Sequence, residues 1–405
     1  MSRRESGPPP ASAAAVVAVC ALMLAAGYLA KDCPGLGRFR VSFLCHSDVY
    51  SLYRLRGMDR ALFPYVNGRL EVLEIDDDPL TYELHALDGA NEYPVLTGLL
   101  MWAPAPFVSA NRSYLGLSAA LLAPFGLVTA MILAWMSGRR AYLFAASPLL
   151  ILYAFHNWDL AVVAAATAGC WCWWRGRDPW AAVWFGLGGA LKLYPLLFLL
   201  ALALEARRRD GPRAAARAAG VGLGAFAAVN LPILLVAPAG WAVPFRFHSL
   251  RPPNYDSLWG VIANLFPLGV GAIDAISGAL VLAGVVAVLI AAERRAGRDG
   301  SYPFLPACAA LLAAFLLGNK VHSPQYALWL LPWFSLVLVR FRWYVALVVM
   351  NLVLYAAIFG VSVYSIAARD TIVFWSVWAR VALMAGLVVA FVRAEPVEPR
   401  VPVVD

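Results

Sequence analysis

The feature that most limits what this chain can fold into is the way its charges alternate. Long apolar stretches are separated in turn by Arg-rich loops and by loops carrying nearly all of the His and Lys and the few acids away from the termini. Membrane proteins sort charge in this way, because short cytoplasmic loops are enriched in Lys and Arg. Composition agrees: 62% of the residues are hydrophobic and only 14% charged, with a mean hydropathy of +0.71, which excludes a soluble globule. The 405 residues hold about ten to thirteen membrane segments of about 20 residues each. The expected class is an all-α polytopic membrane protein. The net charge of +8 does not argue for a nucleic-acid partner, since the Arg residues sit in short clusters at span ends where they fix orientation.

Inside markers are Arg3-Arg4, Arg139-Arg140, Arg175 with Arg177, Arg207 to Arg209 with Arg213 and Arg217, Arg294-Arg295 with Arg298, Arg340 with Arg342, and Arg393. They place spans near 11–30, 114–136, 141–155, 158–174, 214–236, 268–292, 303–318, 324–339, 342–362 and 371–392. The first is expected to be a retained signal anchor, with both termini cytoplasmic. The loops left outside are 31–93, 156–157, 237–267, 319–323 and 363–370. One integral domain is expected over 1–393, with 31–93 as its first extracytoplasmic loop and 394–405 as a cytoplasmic tail. Cys20, Cys170, Cys172 and Cys308 lie within spans as small buried thiols. Cys33 and Cys45 share the first outer loop, where a disulfide is an option.

Two segments, 95–110 and 180–206, break the alternation. Pro104 and Pro106 interrupt the first and Lys192-Leu-Tyr-Pro195 the second. Non-helical backbone at membrane depth survives only where it is buried in protein or lines a cavity, so both breaks point towards a site. Lys192 reads as an anion clamp or as a snorkelling Lys at a span end. Lys320 and His322 follow in an outward loop, as phosphate ligands or as ordinary loop residues. Asp48, in Cys45-His-Ser-Asp-Val-Tyr50, reads as a general base whose pKa burial would raise, or as a helix N-cap. His156, Asp159 and His248 complete the outward candidates, with Arg251, Tyr255 and Asp256 beside His248; Asp159 also reads as a cap. The triplet Asp76-Asp-Asp78 is read as a solvated loop rather than a cation site. No His/Cys spacing suggests zinc and no Gly loop suggests a nucleotide, so no metal and no cofactor are expected.

The ordered set Asp48-x-Tyr50, Phe63-Pro-Tyr65, Glu92-Tyr-Pro94, Asn157-x-Asp159, Lys192-x-Tyr-Pro195 and His322-Ser-Pro-x-Tyr326-x-x-Trp-x-x-Pro332 resembles glycosyltransferase family 87, membrane mannosyltransferases of the GT-C fold. The resemblance runs from about Asp48 to Pro332. It implies inverting transfer of a sugar, usually mannose, from a polyprenyl-phosphate donor to a hydroxyl on a glycolipid or glycan acceptor, at the extracytoplasmic face of the cell membrane. Asp48 would be the base, and Lys192, Lys320 and His322 would neutralise the departing phosphate. Tyr50, Tyr65, Tyr93, Tyr194, Tyr326 and Trp329 would line substrate subsites with His156, Asp159 and His248, although aromatics here also suit an interfacial belt.

The chain departs from the family pattern in having Pro94-Val95 where two prolines are common, and a polar insert over 68–90. Tyr50 stands where an Asp-x-Asp pair would put its second acid, which fits a metal-independent reaction. The competing readings are an arabinosyl transferase, a transporter or flippase of a lipid-linked or anionic solute, and a structural membrane protein. A structural protein would not join Asp48 to Lys192 in one pocket. No convincing internal repeat supports a transporter.

Overall fold

A computed structural model describes residues 10–32, 42–66, 68–74, 82–87, 89–359 and 366–397. The chain is an all-α polytopic membrane protein. Among the described residues six helices are long and apolar enough to cross a bilayer: Ser12–Lys31, Asn111–Ala145, Pro212–Val236, Val270–Asp299, Phe341–Phe359 and Ile366–Arg393. Several present bare apolar faces. Only 11% of the apolar window of Pro212–Val236 is buried, and Leu223, Leu231 and Leu235 project outward from it. In water this would be a large exposed patch; against lipid tails it costs nothing.

Shorter helices fill the centre. Asp159–Trp174 and Phe304–Gly318, at the expected spans 158–174 and 303–318, are buried on nearly every face. Each rises about 24 Å or less, below the roughly 30 Å of bilayer hydrocarbon. Enclosed by longer helices, they need not match the lipid thickness. The two expected breaks are present: Val95–Trp102 gives way to a 3₁₀ turn at Ala105–Phe107, and Asp178–Leu191 is separated from Leu196–Asp210 by residues 192–195.

Other expected spans differ. Residues 141–155 are not one helix but Tyr142–Ala145 and Pro148–Tyr153, because Pro148 cannot donate and Ser147 caps a new start. Residues 324–339 shrink to Pro324–Tyr326 and Ala327–Leu336. The loop 237–267 contains Pro238–Leu250 and Leu258–Leu265. Within the polar insert an antiparallel hairpin pairs Arg69–Glu74 with Tyr82–Leu87, Arg69 opposite Leu87. The Asp76-Asp-Asp78 triplet and Cys33 lie outside the described residues. Cys45 is disulfide-bonded, and the four span cysteines are free thiols.

The Arg clusters converge on one end. Arg209 pairs with Asp178 and Arg208 with Glu293, Arg140 donates to the Phe334 carbonyl, and Arg295 donates to the Ala394 carbonyl and pairs with Glu395. The tail is thereby docked as far as Glu395–Pro396, which also forms a short ladder with Val337–Leu338.

Candidate active site

Away from the Arg clusters, the helix ends and their connecting turns enclose a cavity of about 990 Å³. Asp48 reaches it from the first turn of Asp48–Leu55. Ser47 is the N-cap of this helix, its Oγ accepting from the Tyr50 N–H, so the capping reading of Asp48 is overturned and its carboxylate is left facing the cavity. The Asp48 N–H donates to the His156 carbonyl at 2.8 Å and Ser47 Oγ to the Phe155 carbonyl at 2.7 Å. These bonds bind the helix start to the turn before Asp159–Trp174. Asn157 in that turn donates from Nδ2 to Asp48 Oδ2 at 2.9 Å and to the Tyr93 hydroxyl at 2.7 Å. Its Oδ1 accepts from the Trp158 N–H, which fixes the direction of the amide.

On the other oxygen of Asp48, His46 Nε2 lies 3.5 Å from Oδ1. Burial pushes the carboxyl up, but His46, His156 and Asn157 together hold it down, to about 2. The expectation that burial would raise this pKa is therefore corrected: hydrogen bonds to the charged form outweigh desolvation. Burial pushes His156 down to about 3, with Lys31 and His46 adding to the effect and Asp48 opposing it. At neutral pH Asp48 is ionised and His156 neutral.

Lys192 enters through the break after Asp178–Leu191, in extended backbone. Thr97 Oγ1 holds the preceding Leu191 carbonyl at 2.6 Å. The Lys192 ammonium lies 3.6 Å from Asp159 Oδ1 and 4.4 Å from the centre of the Tyr93 ring. Tyr93 therefore links Lys192 to Asn157 and Asp48. Asp159 is fully buried and also accepts from Trp329 Nε1 at 3.0 Å; its carboxylate makes no cap, contrary to the capping alternative. Tyr194 stacks on Trp329 at 4.5 Å and Tyr326 at 3.8 Å, which builds an aromatic wall beside the cation.

On the far side, Lys320 pairs with Asp274 and donates to the His248 carbonyl. The cavity wall includes Asp48, Tyr93, His156, Lys192, Tyr194, His248, Lys320, Tyr326 and Trp329. Four of the residues picked out from sequence are not on it. The Tyr50 backbone carbonyl accepts from Asn111, and the Tyr65 hydroxyl is used on the Tyr93 and Pro94 carbonyls at 2.8 and 3.0 Å. Asp159 stands behind Lys192, and His322 is buried beside Arg380. Arg251, Tyr255 and Asp256, the outward candidates beside His248, are on the wall; sequence reasoning passed over His46 and Asp274 as site residues. Asp274 carried a readable signal, since a lone acid within the apolar stretch 268–292 is costly unless it has a partner.

Most charges on this wall are matched. Glu92 takes a bidentate pair from Arg56, Asp256 faces Arg380 at 3.9 Å, Lys192 has Asp159 and Lys320 has Asp274. The Arg251 guanidinium makes no ion pair among the described residues; it donates to Asn254 Oδ1 and lies over the Phe247 ring. Asp48 and Arg251 thus give the cavity an anionic and a cationic pole. Residues 92–324 match the model of glycosyltransferase family 87. The chain belongs to glycosyltransferase family 87. Among curated proteins and solved structures, none matches it. This family 87 protein is thus a membrane glycosyltransferase, and the matched stretch brings together Tyr93, Asn157, Lys192, Arg251 and Lys320. Asp48 precedes that stretch and is joined to it by its bonds to His156 and Asn157.

Proposed function

We propose that the protein moves a hexose, mannose in the first instance, from a polyprenyl-phosphate donor to a hydroxyl of a glycolipid or glycan acceptor, with inversion. The reading puts the site on the extracytoplasmic face of the plasma membrane, both termini in the cytoplasm, and the helices in a GT-C arrangement. The observation that carries it is that one cavity joins the Asp48 carboxylate, for a proton, to the Arg251 guanidinium, for a phosphate; that guanidinium makes no ion pair among the described residues.

In this mechanism the acceptor oxygen attacks the anomeric carbon from the Asp48 side. The C–O bond to the acceptor forms, the C–O bond to phosphate breaks on the opposite face, and the acceptor proton passes to Asp48. The lipid phosphate leaves as an anion. Arg251 receives the growing charge, with Lys192 and Lys320 adding fixed positive dipoles through their ion pairs, an electrostatic role strongest in a dry site. His322, set back beside Arg380, supports this wall rather than touching phosphate. Tyr93 and Tyr326 offer ring surface to the sugar, backed by Trp329 and Tyr194 in the stack, and His248 and His156 polar edges. Asp159 orients Lys192, and Tyr65 holds the Tyr93-Pro94 turn. Ionised at neutral pH, Asp48 is ready to take the acceptor proton as the new bond forms.

No metal or other cofactor is invoked, because protein cations carry the leaving-group charge. EDTA is accordingly expected to leave transfer intact; a loss that Mg²⁺ restores would contradict this. The deciding assay follows sugar transfer from polyprenyl-phosphate-mannose in membranes holding wild type or Asp48→Asn, with donor binding measured in parallel. The expected result is transfer reduced by about 10²–10⁴-fold with binding retained. Undiminished transfer in Asp48→Asn would remove Asp48 as the base.

A further inference from the structure

Beside the proposed base, three side chains converge in a way that sugar transfer does not require. His46, Asp48 and His156 each offer one ligand atom, and these atoms lie within 4.8 Å of one another. The two rings are 5.1 Å apart between centroids. We propose that His46, Asp48 and His156 form a binding site for a transition-metal dication of the zinc class, and that an ion held there blocks transfer by engaging Asp48. The binding half stands alone, and the blocking half rests on the transferase reading.

The chemistry of the ligand set selects the ion. Two imidazoles and one carboxylate suit Zn²⁺ and its neighbours, whereas Mg²⁺ and Ca²⁺ prefer oxygen ligands. Metal–ligand bonds of about 2.0–2.2 Å set tetrahedral ligand atoms about 3.4 Å apart. The His46 Nε2 to Asp48 Oδ1 separation is 3.5 Å, so one edge is already at length and the third ligand has only a short movement to make. The fourth position opens on the cavity, which both His46 and His156 line.

The surroundings are those of a held ligand set. Asp48 Oδ2 is fixed by Asn157 at 2.9 Å, leaving Oδ1 to the ion, as metal-bound carboxylates are commonly fixed. The His156 carbonyl and the Asp48 N–H are tied at 2.8 Å, so the two ligand-bearing segments cannot drift apart. His46 stacks on Phe359 at 4.4 Å. His156 is 3% exposed, and its Nδ1 is buried with no hydrogen-bond partner. Buried polar atoms without partners are rare, and the imidazole is thus not committed through Nδ1 to a competing hydrogen bond.

The test titrates the purified, detergent-solubilised full chain with Zn²⁺ alone against a chromophoric chelator. One equivalent is expected, unaffected by excess Mg²⁺ and lost in His46→Ala and in His156→Ala. His46 has 45% of its side chain in solvent, so His46→Ala folds even if the buried His156→Ala does not, and it keeps the result interpretable. Stoichiometric binding that survives in His46→Ala, or no binding in wild type, overturns the site. With transfer assayed beside it, added Zn²⁺ should suppress wild-type turnover and EDTA restore it, while whatever turnover His46→Ala retains should not change with Zn²⁺. Zn²⁺ bound without loss of turnover, or with stimulation, overturns the blocking role. A preparation that binds Zn²⁺ yet transfers sugar from no donor supports the site and counts against the transferase reading instead.

Discussion

At the Arg-rich end, Arg208 meets Glu293 with 36% and 35% of the two side chains in solvent; at the cavity end, Lys192 meets Asp159 with 11% and none. The first pair is one contact among many on a wet surface. The second is largely buried, where two ions lose most of their hydration and are compensated by each other, by the Tyr93 ring under the ammonium and by the Trp329 bond to Asp159. At the Arg-rich end the contacts that reach the interior, such as Arg295 on the Ala394 carbonyl, dock the tail. Charges at the cavity end are fixed to individual partners, so each removal should have its own consequence. The difference teaches that a half-solvated pair tolerates the loss of a partner, whereas a sealed pair ties stability to the site.

The sharpest break of this contrast is Asp159→Ala. It strands the Lys192 ammonium in a buried wall and should lower stability by about 3–5 kcal/mol, read from thermal unfolding of the detergent-solubilised protein. Lys192→Met combined with Asp159→Leu should recover most of that loss, because it removes both charges, while transfer stays impaired. Recovery of full transfer in the double variant would show that the pair is structural only.

Arg251→Ala comes next and acts on function rather than fold. The guanidinium is half-buried and makes no ion pair among the described residues, so its loss leaves no buried charge behind. A hydrogen bond to a charged group is worth about 1.5–3 kcal/mol, which predicts a loss of about 10- to 100-fold in kcat/KM for the donor with little change in unfolding temperature. Equal kcat/KM in wild type and Arg251→Ala would move the phosphate onto Lys192 or Lys320.

A smaller loss is expected at Gly240. A Cβ there would overlap the Tyr65 carbonyl oxygen, and Tyr65 already has a positive φ of 73°. Backbone cannot give way as a flexible side chain does, so Gly240→Ala should cost about 1–3 kcal/mol by overpacking. Through Tyr65 and the Tyr93-Pro94 turn it should also weaken donor binding. Unchanged unfolding and binding would detach that turn from the site.

The sequence already shows much of this arrangement, for reasons that can be named. Apolar runs and Arg clusters expose the long helices directly, and prolines at 104, 106 and 195 mark the breaks. Hydropathy could not distinguish Asp159–Trp174, sealed in the centre, from Pro212–Val236, bare to lipid, because both are uniformly apolar and only tertiary packing separates them. Asp48, Lys192 and Trp329 stood out as polar or aromatic islands in such surroundings. Their pairings did not, since Lys192 with Asp159 and Lys320 with Asp274 are contacts between distant segments. Asp48 was misjudged in sign of pKa because the hydrogen bonds from Asn157 and His46 depend on a turn that the sequence does not display. Tyr50 and Tyr65 matched a motif whose order is visible in the chain but whose side-chain directions are not.

The weakest effect belongs to the other end. Arg208→Ala removes one side of a half-solvated pair, and exposed pairs typically contribute about 0–1 kcal/mol. Unfolding should shift within that range, and transfer should be unaffected, since Arg208 lies with the clusters around Glu293 and Asp178 rather than on the cavity wall. Raising the salt should erase even the small shift, because screening acts on exposed charges first. The same salt should leave the Asp159→Ala penalty nearly intact, as Asp159 is fully buried and only 11% of the Lys192 side chain is in solvent. A salt-insensitive loss of several kcal/mol in Arg208→Ala would mean that the Arg208–Glu293 pair is held like the buried Arg295 contact with the Ala394 carbonyl, and the contrast drawn from these two pairs would collapse.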